Sequence, residues 1–473
     1  MTGLNLRLRL GMQPQGSGGP SFLSTIGAAA GISTAAAIGR AIARAAASAS
    51  GLAMAAAIGV PLATAAGAAA GVGAAPGVGV PIGTGAGAAA GSSTAAAVAG
   101  APDVVAYANF VLPSATGNFT ISTSDLQGKT PKMAMLALCN AEASEVGFSA
   151  AGEESFHTFG ATDGTNQWSA TSCSESGSNN DRRAYTASAC LLETNQSGTT
   201  LLEATFVSFA ANQVTINITT LNAEIYGKRG FVQFFAGTNC SVEVGVINGE
   251  TDGAATKTIG FTPEGLLFSE SWLAAPGNAD TAIQTFGFAL NDGSATQYAG
   301  GRYLSSGTGE GRVNNKAGGY GANSIPTCAV SFSGADVTAT WSTAFEIDMP
   351  YAAWSFGGHL TAKAGTITSP TSPGTVTASG LGITPLSALF ITGPGAVNTS
   401  VSGMGFGAGW LTGSGGGSMG ALSKTGYCST TRLNVQNGAD LASLSSFASG
   451  QLTLNFTTAD ATARLIPFIA FGT

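Results

Sequence analysis

"TPKMAMLAL" (130–138), "TPEGLLFSE" (262–270) and "TPLSALFIT" (384–392) open on the same dipeptide and run on into apolar residues. Thr-Pro is turn chemistry, and an apolar run directly behind it reads as a buried strand. The prolines Pro131, Pro263 and Pro385 stand 132 and 122 residues apart. That spacing points to three copies of one unit.

Three further blocks follow in the same order. "HTFGATDGTNQW", "QTFGFALNDGSATQY" and "SGMGFGAGW" align Gly160, Gly287 and Gly405. "SFAANQVTINI", "SFSGADVTATW" and "SFASGQLTLNF" place Phe209, Phe332 and Phe447 five residues before Val214, Val337 and Leu452. Apolar alternation around a polar turn predicts a β-hairpin there. "FFAG", "SFGG" and "AFGT" close the units at Gly237, Gly357 and Gly472. Each unit has about 115–130 residues, many short strand patterns and no amphipathic helix. The expected fold is mainly β, with three tandem β-sandwich or jelly-roll-like repeats over 102–238, 239–358 and 359–473.

Ahead of them lies a different composition. Residues 21–101 are almost all Ala and Gly, and "GVGAAPGVGVPIGTGAGAAAG" (71–91) repeats glycines on a six-residue beat. Ile26, Ile32 and Ile38 keep the same interval. Six suits extended chain or a polyproline-type helix, whereas 35–57 is Ala-rich enough to be helical. One such chain buries too little to offset its ordering entropy, so ordering by other copies or partners is expected. Three chains around a crowded axis are the natural arrangement. Residues 1–20 read as an anchoring peptide and 21–101 as an extended or partly helical shaft.

Only 9% of the 473 residues are charged, against roughly a quarter in ordinary globular domains. The 18 Lys and Arg against 25 Asp and Glu leave −7, which argues against a nucleic-acid partner. The start has no apolar core of a secretory signal. Arg40 and Arg44 interrupt the apolar stretch 22–60, so no membrane span is expected. The cysteines at 139, 173, 190, 240, 328 and 428 form no C-x-x-C pair and read as buried free thiols.

Catalytic patterns are sparse. His157 and His359 are the two histidines, and neither accompanies a G-x-S-x-G elbow. Glu153, Glu154, Asp163, Glu175 and Asp181 cluster in the first repeat as the acids a glycosidase would need, without counterparts in the others. "DGTN" (163–166) and "NDGS" (291–294) are turns more than calcium loops. No enzyme activity, metal or cofactor is expected. Trp168, Tyr298 and Trp410 follow the glycine block and are the candidate ligand-binding residues, as loop aromatics that stack on sugar rings, with core packing as the plainer reading.

An Ala/Gly-rich stretch with "GAAAGISTAAAIG" repeats, followed by tandem "TP…LLF", "FGFA" and "SF…VT" domains, resembles fibre or spike proteins of tailed bacteriophages and gene-transfer agents. The resemblance implies a virion location with release by lysis, and anchoring of residues 1–100 to other virion proteins. It also implies a homotrimer and β-modules that face a host surface glycan or protein. A tail fibre or tail-tip appendage is the first expectation. The alternative is a head fibre or capsid decoration protein, and a capsule depolymerase comes third.

Overall fold

In the computed structural model the described residues comprise nine strands between residues 21 and 94, then 103–140, 147–148, 154–175, 181–249, 253–305, 308–319, 326–343, 346–392, 399–402, 405–422, 425–436 and 440–473. They fall into two units, Met1–Pro102 and Asp103–Thr473. No α-helix occurs among them; two single-turn 3₁₀ segments, Ser124–Leu126 and Ala223–Ile225, are the helical content.

The Thr-Pro runs are continuous in apolar character because their strands are covered on both faces. In Pro131–Cys139, residues Met133, Met135, Ala137 and Cys139 face one core while Ala134, Leu136 and Leu138 face another. Leu389 and Ile391 alternate in the same way with Ala388 and Phe390 in Pro385–Thr392. Each repeat is an antiparallel sandwich of a large and a four-stranded sheet with its own core. The outer faces of the three large sheets share a further core.

The repeats are therefore not beads on a string. The first large sheet runs Val104–Val111, Arg229–Ala236, Pro131–Cys139, Glu154–Thr162, Gln167–Glu175, Arg182–Thr186, and then takes Gly277–Asp280 from the second repeat. The second keeps that order and ends on Thr399–Ser402 from the third. The third ends on Gly147–Phe148 from the first. The donated segment always follows the Thr-Pro strand, so the exchange closes a ring with pseudo-threefold symmetry. On its axis stand Phe235, Trp354 and Phe471, one per repeat at equivalent register positions. Their ring centroids are 5.4, 5.9 and 5.8 Å apart.

The expected hairpins are present. Phe209 pairs with Val214, Phe332 with Val337 and Phe447 with Leu452, around two-residue turns that place Asn212, Gly334 and Gly450 at positive φ. Two alignments need correction. Gly409, not Gly405, stands opposite Phe390 as Gly160 stands opposite Leu136 and Gly287 opposite Phe268. Phe235, Trp354 and Phe471 share one register position, so Gly237, Gly357 and Gly472, which stand two, three and one residues after it, are not equivalent.

The Ala/Gly-rich unit is built from parallel strands. Ser21–Gly27, Ala41–Ala47, Leu62–Gly67 and Ile82–Gly87 form one sheet, with Ser21 beside Ala41, Ile42 beside Leu62 and Leu62 beside Ile82. Ile32–Ile38, Leu52–Gly59, Val72–Ala74 with Gly77–Gly79, and Ser93–Thr94 form the other at the same offset of twenty residues. Twenty residues thus make one coil of a parallel β-solenoid with two strands per coil. The six-residue beat is the distance between the two ends of one strand, as from Ile32 to Ile38. The helix expected within 35–57 is replaced by strands, and these strands pair in parallel with the next coil of the same chain. The anchoring peptide proposed over 1–20 lies outside the described residues.

Candidate functional site

The three candidate aromatics are not on exposed loops. Trp168 is fully buried on Gln167–Glu175, and its Nε1 donates to the Tyr351 carbonyl at 2.8 Å, joining the first repeat to the second. Trp410 is buried on Gly405–Thr412 and stacks on Tyr107 at 5.1 Å, joining the third to the first. Tyr298 is half-buried, 5.9 Å from Phe288. Nor are they equivalents: Trp168 and Tyr298 follow the hairpin turn, whereas Trp410 precedes it at the position of Ala161 and Phe288. All three are parts of the shared core, so the plainer reading, packing, describes them.

Of the other candidates, His157 is fully buried and His359 is exposed. Asp163 holds its own turn, accepting from Thr165 and Asn166 N–H at 2.8 and 2.7 Å, and takes Val244 N–H of the second repeat at 2.9 Å. Asp292 binds Ser294 and Thr296 N–H. Burial pushes its carboxyl up, but these bonds outweigh it and leave the pKa lowered. Both segments are turns, and no group of metal-ligating side chains occurs among the described residues. Glu154 and Glu175 are register partners in the ladder between Glu154–Thr162 and Gln167–Glu175. Glu153 lies outside the described residues. The six cysteines are buried thiols, and burial pushes those of Cys190 and Cys240 up to about 12.

Charge is buried where the first and second repeats meet. Arg302 is fully buried and donates to Ser174 Oγ. Burial lowers its pKa to about 10, against the opposing charges of Asp181, Cys173 and Glu193. Gln284 bridges the same junction, accepting from Ser172 Oγ at 3.1 Å and donating to the Ala170 carbonyl at 2.8 Å. Neighbouring His157 is kept neutral, its pKa driven well down by burial and then by the Arg302 charge. Ser172 and Ala421 occupy the positions equivalent to Arg302. The first–second junction thus buries an arginine at a position where the first and third repeats carry serine and alanine.

A second asymmetry opens a cleft. The hairpin turn after the glycine block spans four residues in the first repeat and seven in the second, but two in the third, Gly413 and Ser414. The first-repeat turn reaches across to Val244 through Asp163, whereas the third-repeat turn stops at Asp125, to which Ser414 Oγ donates at 2.7 Å. Beside this short turn lies a cleft of about 320 Å³ between the third and first repeats. Its polar lining includes Asp103, Ser124, Asp125, Gln127, Ser387 and Ser414, and its apolar lining Val105, Leu360, Leu386 and Phe471. Leu386 is 54% exposed, the most accessible large apolar side chain described.

Asp103 is only 3% exposed. Its Oδ1 accepts the Asn239 N–H at 3.1 Å and the Cys240 N–H also favours its charged form, but Oδ2 has no partner at hydrogen-bond distance. Burial raises its pKa, against those bonds and the charges of His359 and Lys132. The cleft gave no sequence signal apart from the shortness of "GWLTGSGGG" beside its two counterparts.

No family model matches the chain, and no curated protein does. Among solved structures the tailspike of Acinetobacter phage vB_ApiP_P1 aligns at 10% identity over 45% of this chain and 48% of its own, with a TM-score of 0.11. The chain thus spans about half the length of that tailspike. A β-fructofuranosidase of Schwanniomyces occidentalis aligns at 6% identity over 77% of this chain and 98% of its own, with a TM-score of 0.12. An outer-membrane protein of Vibrio cholerae aligns at 7% over 79% and 99%, with a TM-score of 0.10. Scores of this size correspond to no common fold.

Proposed function

We propose that the chain is a non-enzymatic attachment protein of a phage-like particle, with the solenoid as its stem and the β-ring as the part that meets a cell surface. The observation that carries this reading is the ring itself. Three sandwiches are locked by exchanged strands, and His157, the thiols and Arg302 are sealed inside, which suits a durable exposed body better than a catalyst. One chain supplies all three wedges, and in this reading a single copy takes the place that three identical chains hold in a homotrimeric fibre. Residues 1–100 would join it to other virion proteins.

Adsorption tests the reading. The purified full-length protein should bind host bacteria and slow adsorption of the parent particle in proportion to its concentration. Unchanged adsorption at saturating protein, together with particles that fall apart when the gene is deleted, would replace it with the capsid-decoration alternative.

A further inference from the structure

We propose that the cleft between the third and first repeats binds one or two pyranose units of a neutral or amino-sugar glycan. The inference rests on the attachment reading above and narrows it to one place and one ligand class. A volume of about 320 Å³ lies at the lower end of small-molecule pockets and accommodates a monosaccharide or a compact disaccharide. Sugars present an apolar C–H face and a rim of hydroxyls. The cleft offers Leu386 to the first and the hydroxyls of Ser124 and Ser414 with the Gln127 amide to the second.

Asp103 lines the cleft as a buried carboxyl group whose Oδ2 has no protein partner at hydrogen-bond distance. Asp103 and Asp125 together set the sign: two carboxyl groups in one cleft repel hexuronates and sialic acids and tolerate neutral or cationic sugars. At this junction the third-repeat turn has two residues where the first-repeat turn has four. Evolving a ligand site in one wedge leaves the other two junctions intact.

Saturation-transfer NMR on the full-length protein tests this with methyl glycosides of hexoses, glucosamine and galactosamine, and with glucuronate as the anionic probe. At least one neutral or amino sugar should receive saturation and glucuronate none. Ser414→Trp, an exposed turn substitution that fills the cleft, should reduce the signal at least tenfold while thermal unfolding stays unchanged. Asp125→Asn should weaken the neutral sugar and relieve the exclusion of glucuronate. Equal saturation in wild type and Ser414→Trp, or none for any sugar in wild type, would overturn the inference. Cell binding separates the two claims. If wild type and Ser414→Trp adsorb to bacteria equally, the cleft is not the site although attachment stands. If sugars bind the cleft but wild type never adsorbs, attachment falls and the site remains.

Discussion

Replacing Trp354 by alanine removes one of the three rings on the pseudo-threefold axis. The indole is fully buried and lies 5.4 Å from Phe235 and 5.8 Å from Phe471, which belong to the two other repeats. A buried indole withdraws roughly 150–250 Å² from water, which at about 25 cal/mol per Å² amounts to about 4–6 kcal/mol. Against this, Trp354 Nε1 is buried without a hydrogen-bond partner, and deleting an orphan donor recovers about 1–3 kcal/mol. The expected net loss is about 1–5 kcal/mol, whose upper part is the usual range for large aromatics cut to alanine. Trp354→Phe should cost under about 1.5 kcal/mol, because it keeps a ring, removes the orphan donor and matches the residue at both equivalent positions. Urea unfolding followed by circular dichroism and by fluorescence reads both variants. The axis is shared, so the alanine variant should shift the whole transition of residues 103–473 together, with both probes coincident. A biphasic curve in which about a third of the amplitude moves would refute the shared core, and so would an alanine variant at the wild-type midpoint.

Gly160→Ala and Gly287→Ala should each abolish soluble protein, since the added Cβ would lie 2.0 Å from the backbone carbonyl oxygen of Cys190 or Ala317. Gly413→Ala has open space and should stay within about 0.5 kcal/mol of wild type in the same assay. His157 has its folded pKa driven far below the unfolded value near 6.5, so the unfolded chain takes up a proton that the folded one refuses. Stability should therefore fall as pH drops below about 6.5, by up to about 1.4 kcal/mol per pH unit. His157→Gln, which copies Gln284 at the equivalent position, should flatten that slope in urea titrations at pH 5 to 7. Asp348 has its pKa raised to about 6 by burial and acts with the opposite sign, but it cancels in the difference between variant and wild type. Deleting residues 52–71 removes one whole coil and should preserve the β-signal and protease resistance of the first unit, whereas deleting 52–61 breaks register and should lose both.

Legibility followed the range of the interactions. The Phe209 to Val214 hairpin and its two relatives were readable because turn and alternation sit within a few residues. The Thr-Pro strands were readable as buried, though not as buried twice, since a continuous apolar run does not say how many cores it faces. The exchanged strands left no local trace: Gly147–Phe148 is two residues long and its partner lies near Tyr427. Gly405 was mistaken for Gly409 because glycines at 405, 407 and 409 fit the same local pattern and only pairing with Phe390 separates them. In the first unit the longer period was present at Gly31, Gly51, Gly71 and Gly91, but the shorter beat within each strand masked it. The aromatic candidates failed because a tryptophan after a glycine turn looks alike whether its strand meets solvent or a neighbouring wedge.

The axis also shows how this ring can change. In an assembly of identical chains a residue on the threefold axis meets two copies of itself, so any enlargement is felt three times in the same small space. Here Trp354 sits beside two phenylalanines, a combination that exact symmetry forbids. Phe286 stacks on Phe159 at 4.2 Å where the third repeat has Ala408. Each wedge can thus drift by one residue at a time while its two neighbours stay constant, and the interior is free to become as uneven as the exterior it supports.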